Sequence, residues 1–321
     1  MSINTTVSVD VSNTTVNSSV FGIQTPVHST TSDILNCVTA GIAVVGVVFG
    51  CFVANIVRKL DDTELRSRFL LLSILICDVI LTLSNLPLMV FVFTLINRKR
   101  FEKLTCPFVY VNLVVSSHFS MSLVLSLLCL ALDQVIAVFK PLYFRTSEGT
   151  RRKVVYGVII CMPVPLASAM LIYWTQGITE TSDDIVDCES LTKAASEVLP
   201  YQAVIAVPLA VSTPVIYAVV LWKISRQRCV HSDNPLGSIQ NRRLVVSFLF
   251  LSASYVLLWL PTLAYFSGCY YSGNGCWEEE SNDVSLLLYA IFTLNYIVDP
   301  VTCAVRMEPI KQRIILMFRS R

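Results

Sequence analysis

Seven stretches of this 321-residue chain are each long and apolar enough to cross a bilayer, at 34–57, 69–96, 107–138, 154–176, 199–222, 244–267 and 284–305. A helix needs about 18 to 20 apolar residues to cross roughly 30 Å of hydrocarbon. Only 14 % of the residues are charged and 54 % are hydrophobic, where a soluble domain carries about a quarter charged residues. No hydrophilic stretch between the runs is long enough for a soluble domain. The expected fold is an all-α membrane protein, a seven-helix bundle forming one domain over 34–305. An N-terminal tail (1–33) precedes it, and a short amphipathic helix and tail (306–321) follow.

Charge orients the bundle. With the N-terminus outside, 19 of the 24 Lys and Arg fall on the cytoplasmic side and 5 outside, as the positive-inside rule requires. In the same orientation 13 of the 22 acids lie outside, among them DDIVDCE (183–189) and EEE (278–280). NRKRFEK (97–103) is a local exception. The formal net charge of +2 is thus a topological dipole and gives no ground for nucleic-acid binding. The tail is rich in Ser, Thr and Asn and carries acceptor sequons at Asn4, Asn13 and Asn17. It is expected to be extracellular, disordered and glycosylated. With no signal-type segment before it, the first span is expected to act as the targeting signal of a multi-pass plasma-membrane protein.

The eleven cysteines divide by compartment. Cys106, Cys188, Cys269 and Cys276 fall in outer loops, where thiols can oxidise. Cys269 and Cys276 either close a small loop through SGNG, whose glycines permit the turn, or remain thiols. Cys51, Cys77, Cys129, Cys161 and Cys303 lie inside spans as small apolar packing residues. With three His in the chain, no nucleophile–histidine constellation, metal-ligand spacing or phosphate-binding glycine loop is visible, so no catalytic or metal site is expected.

Polar residues inside the spans carry more information. They are Asn55 in the first, Asp78 in the second, Asp133 near the inner end of the third, and Asn295 and Asp299 in the seventh; Trp259 and Pro261 mark the sixth and Pro300 the seventh. Two carboxylates near each other at mid-membrane cannot both stay charged without a cation or a shared proton. Asp78 and Asp299, with Asn55 and Asn295, form either such a functional oxygen-rich cluster or a polar patch that holds helices together. Pro261 bends the sixth helix, with Trp259 beside the bend.

Seven spans with these residues in this order resemble the rhodopsin-like (class A) G-protein-coupled receptors. The best-matching pieces are LLSILICD ending in Asp78, WLP at 259–261, NYIVDP at 295–300 and RMEPIKQRIILMF at 306–318. The resemblance implies an extracellular ligand, a heterotrimeric G protein as partner, and a sodium-and-water site at Asn55, Asp78, Asn295 and Asp299. A bound sodium ion is the one cofactor it implies. It makes Asp133, Gln134, Trp259, Pro261 and Pro300 the activation switch, and implies a bridge from Cys106 to Cys188 that fixes DDIVDCE as a lid. DQVIAVFKPLYF stands where the family has Asp-Arg-Tyr, an apolar turn and a Pro-Leu pair, which would put Asp133 at the cytoplasmic rim within reach of water. The Arg, however, is Gln134 and the Tyr is Val135, so the resting ionic lock is missing. Cys303 replaces the Tyr that closes the seventh-span motif, the fourth span lacks the family's Trp, and Cys106 lies about one helical turn further from Asp133 than the family pattern puts it. The chain reads as a divergent member.

The outer half of the third span, VYVNLVVSSHFSMS, has no Asp or Glu. The acid that anchors amines in aminergic relatives therefore has no counterpart, and a biogenic amine is not expected. Ser116, Ser117 and Ser120, with Met121, Tyr265 and Tyr289, are the pocket candidates; the alternative for the serines is helix packing. The basic inner segments SEGTRRK, WKISRQR and QNRR would meet a G protein by resemblance, though positive-inside topology alone accounts for them. The short tail, small outer loops and KPLYF look chemosensory, of odorant type. Two alternatives remain: a receptor-like protein with weak or no coupling, kept open by the lost Arg, and a transporter or channel, which would need inverted repeats or a polar chain across several helices.

Overall fold

The computed structural model describes residues 30–60, 68–95, 102–140, 144, 148–165, 167–168, 188–228, 235–272 and 279–319. Among them every regular element is a helix: α1 (Thr30–Lys59), α2 (Arg68–Leu95), α3 (Glu102–Phe139), α4 (Glu148–Cys161), α5 (Cys188–Arg228), α6 (Pro235–Ser272), α7 (Glu279–Thr293), α8 (Asn295–Arg306) and α9 (Glu308–Arg319). α1 to α6 carry the first six apolar runs, α7 and α8 share the seventh, and α9 is the amphipathic tail. Six segments among the described residues are long and apolar enough to cross a membrane: Cys37–Lys59, Arg68–Leu86, Val114–Phe139, Ala203–Arg226, Arg242–Tyr265 and Leu287–Arg306. The fourth run is described only in its first part, through α4 and a turn at 162–163.

The helices are irregular in two of the seven runs. Pro163 has no N–H to offer the Ile159 carbonyl; the Ser122 hydroxyl of α3 lies 3.1 Å from that oxygen instead, tying α4 to α3. The seventh run, expected as one helix, breaks at Leu294. There the Leu294 N–H reaches both Ala290 O (3.3 Å) and Ile291 O (3.2 Å), a turn tightened toward 3₁₀ geometry. Pro300 then sits inside α8 and withholds a donor from the Tyr296 carbonyl. In contrast, Pro261 is carried within an unbroken α6.

α1 packs on α2, α7 and α8; α2 on α3 and α8; α3 on α4 and α5; α6 packs on α5, α7 and α8 and touches α3 only sparsely. Close approach of α1 depends on two glycines one turn apart. A Cβ on Gly46 would lie 3.0 Å from Tyr296 Cβ, and one on Gly50 would lie 2.9 Å from Val79 Cγ2. Small residues at this spacing let membrane helices meet backbone to backbone. Arg68 donates to the Leu60 carbonyl across the α1–α2 connection. Val204, Val215 and Trp222 of α5 and Leu257 of α6 point outward, which costs nothing where the surrounding solvent is as apolar as the core. α9 buries Ile310 against the bundle and exposes Leu316 and Phe318, suiting a helix lying on a membrane surface.

Candidate functional site: a polar core and an inner switch

Asp78 of α2 and Asp299 of α8 meet carboxyl to carboxyl in the middle of the bundle. Both are buried, and none of their four oxygens has a hydrogen-bond donor among the described residues. Near them stands the Tyr255 hydroxyl, buried and without a partner among the described residues, as is the Asn295 Oδ1 one turn before Asp299 on α8, with Cys303 close by. Tyr255 of α6 feels both acids and packs on the Trp259 ring at 5.3 Å. The acid pair therefore reaches, through one aromatic contact, the segment of α6 that precedes Pro261. Two facing carboxylates in such a place need a cation or a proton between them, and the oxygens of Asp78, Asp299 and Asn295 supply hard ligands of the kind an alkali cation takes.

Asn55 does not join this cluster. It is exposed and accepts from its own neighbour, with Arg58 Nη2 3.4 Å from Asn55 Oδ1. The phase of α1 explains it: Gly50, Val53 and Val57 face the bundle, and a residue two positions beyond Val53 points about 200° away at 100° per residue.

A second polar assembly lies two turns outward along α2. The Asn85 Nδ2 donates to Leu81 O (2.9 Å) and to the Tyr296 hydroxyl (3.2 Å). Its Oδ1 accepts from Asn112 Nδ2 (3.3 Å) and from the Ser116 hydroxyl (3.3 Å) of α3. Ser84 lies 3.4 Å from Ser116. One carboxamide thus joins α2, α3 and α8. Asn85, Asn112 and Tyr296 were not legible as a site, because an Asn in an apolar run reads as neither ligand nor acid.

At the inner end, Asp133 and Gln134 of α3 are both buried, correcting the expectation that water reaches Asp133. α5 packs along α3 here, with Tyr217 beside Asp133. Asp133 acts on the Tyr217 hydroxyl of α5 and the Cys129 thiol. Tyr217 in turn packs against Phe248 of α6 at 6.1 Å.

The family model described as "7 transmembrane receptor (rhodopsin family)" matches residues 50–302, well over half of the chain. The chain belongs to the rhodopsin family of seven-transmembrane receptors. It is a multi-pass membrane protein of a receptor family, not of an enzyme family. No curated protein matches it.

Within this receptor, Trp259 is buried while Pro261 is exposed on the outer side of α6, and Pro300 is buried. Of the pocket candidates, Ser116 is drawn into the Asn85 assembly, Ser117, Ser120 and Met121 are buried, and Tyr265 is half-buried. The Tyr289 hydroxyl is buried without a partner among the described residues, next to Tyr296. Cys77 and Cys303 are buried thiols, as packing residues should be, whereas Cys51 and Cys161 face outward. The side chains of Cys106, Cys188, Cys269 and Cys276, and the sequons at Asn4, Asn13 and Asn17, lie outside the described residues.

Proposed function

We propose that this receptor sits in the plasma membrane with its N-terminus outside, binds an extracellular ligand other than a biogenic amine, and passes a conformational change to a heterotrimeric G protein. The observation that carries the reading is the buried Asp78–Asp299 pair near Tyr255, whose ring packs on Trp259. It couples a charge-sensitive centre to the proline-bearing helix of a family whose members are receptors. Asp78, Asp299 and Asn295 are the residues that would hold a sodium ion, whose charge would offset that of the two facing carboxylates in the resting bundle. The ligand shifts the equilibrium between resting and coupling states by binding one state better than the other. A chemosensory ligand fits the small outer loops. Glycans on Asn4, Asn13 and Asn17 and a Cys106–Cys188 bridge complete the outer face.

Gln134 favours a second reading, a receptor that binds ligand yet couples weakly. One experiment separates the two: basal G-protein activation in cells, comparing the native chain with Gln134→Arg at matched surface expression. Native signal above mock-transfected cells supports coupling without the arginine. Signal from Gln134→Arg alone supports the weakly coupling receptor.

A further inference from the structure

The inner half of α6 has no arginine at position 134 of α3 to hold it at rest, because that residue is a glutamine. Gln134 carries no charge, and α6 touches α3 only sparsely. At this level α6 meets Tyr217 of α5 through Phe248, and it also meets Arg306, the last residue of α8. Its guanidinium lies 4.0 Å from the centre of the Phe250 ring of α6. Among the described residues, the other cation–ring contacts at this end are longer and do not involve α6: Lys223 of α5 over Phe139 of α3 at 5.4 Å, and Arg226 over Trp222 within α5 at 5.5 Å.

We infer that Arg306 and Phe250 are a positioning pair that latches the inner half of α6 to α8 in the resting receptor, in place of the missing arginine lock. This rests on the switching function proposed above. Phe250 lies eleven residues to the cytoplasmic side of Pro261, about 16 Å along the helix at 1.5 Å per residue. A bend of about 20° at the proline therefore displaces the ring by roughly 5 to 6 Å, past the ~6 Å reach of a cation–π contact. The latch holds only while α6 is straight against α8. Arg suits the role better than Lys because its planar cation lies flat on a ring and keeps its charge at any physiological pH. Phe250 and Arg306 are both solvent- or lipid-accessible, so the contact can open without exposing a core.

The test uses the full-length receptor in lipid nanodiscs, with hydrogen–deuterium exchange read over residues 244–256, alongside basal G-protein activation in cells. Phe250→Leu and Arg306→Gln each raise exchange in that segment about two- to fivefold, the range expected for an exposed cation–π contact, and raise basal signalling in the same direction. Phe250→Tyr keeps a ring and exchanges like the native chain. The double variant Phe250→Leu with Arg306→Gln matches either single one, since each removes the same contact. Unchanged exchange in both single variants overturns the latch, as does full additivity in the double variant. Because exchange needs no G protein, raised exchange with silent signalling upholds the latch and removes the coupling function. Native-like exchange with intact signalling does the reverse.

Discussion

Two polar assemblies lie two helical turns apart on α2, and they meet the problem of burial in opposite ways. At Asn85 both ends of the carboxamide are used, so one side chain binds three helices with no guest. At Asp78 and Asp299 all four carboxyl oxygens are buried without a donor among the described residues. A satisfied network is a fastener, whereas an unsatisfied pair of acids is a socket whose contents set its energy. The difference assigns structure to the first and state-dependence to the second, and each can be broken separately.

The largest effect is expected at the fastener. Asn85→Leu strips a partner from Asn112, Ser116 and Tyr296 at once. At about 0.6 kcal/mol for an average intramembrane hydrogen bond, the loss is about 2 kcal/mol. Thermal unfolding of the purified receptor in detergent should show the lower midpoint, in sodium and in its absence alike. A neutral Asn85→Leu would mean that the three helices are held by packing alone.

The socket should answer to ions instead. Replacing sodium by choline at equal ionic strength should destabilise the native receptor by about 1.4 kcal/mol if sodium was present at ten times its dissociation constant. Asp78→Asn and Asp299→Asn should abolish the response, while Asn85→Leu should keep it. If a shared proton fills the socket, the sign of the test changes. The native state then holds a proton that the unfolded chain gives up, so stability rises as pH falls and sodium has no effect.

How much of this was legible follows from the physics of lipid. The spans were readable because length and apolarity decide them, and the acid pair was readable because a carboxylate in an apolar run has no bland explanation. Which face of a helix looks inward was not readable, since in a membrane both faces are apolar and no polar side marks the outside. That is why Asn55 was grouped with Asp78 when it pairs with Arg58 on the outer face, and why Asn85 and Asn112 went unnoticed. Asp133 was misjudged for another reason: α5 packs on α3 with Tyr217 beside the acid, a neighbour distant in sequence that no reading of the third run alone could supply. The break at Leu294 was hidden by a hydropathy pattern that continues across it.

A smaller effect tests whether the fastener depends on close approach of α1. Gly46→Ala would press a methyl group against Tyr296 Cβ at 3.0 Å and its carbonyl oxygen at 3.2 Å. Backbone cannot swing aside as a side chain can, so α1 must shift, at a cost of about 1 kcal/mol, the low end for overpacking. The sodium response should survive, because neither acid touches Gly46.

The smallest effect is the most discriminating. Ser116 donates to Asn85 Oδ1, but that oxygen also accepts from Asn112, so Ser116→Ala leaves no new orphan at Asn85 and should cost only about 0.6 kcal/mol. If Ser116 serves packing alone, that small loss of stability is the whole consequence and the response to an activating ligand is unchanged. If it also lines the ligand site, ligand potency falls by much more than the stability change accounts for. Ser117→Ala, one residue along and buried, is the comparison on the same helix. A potency loss at Ser116 and not at Ser117 would place the ligand against the fastener, and binding would then bear directly on the junction of α2, α3 and α8.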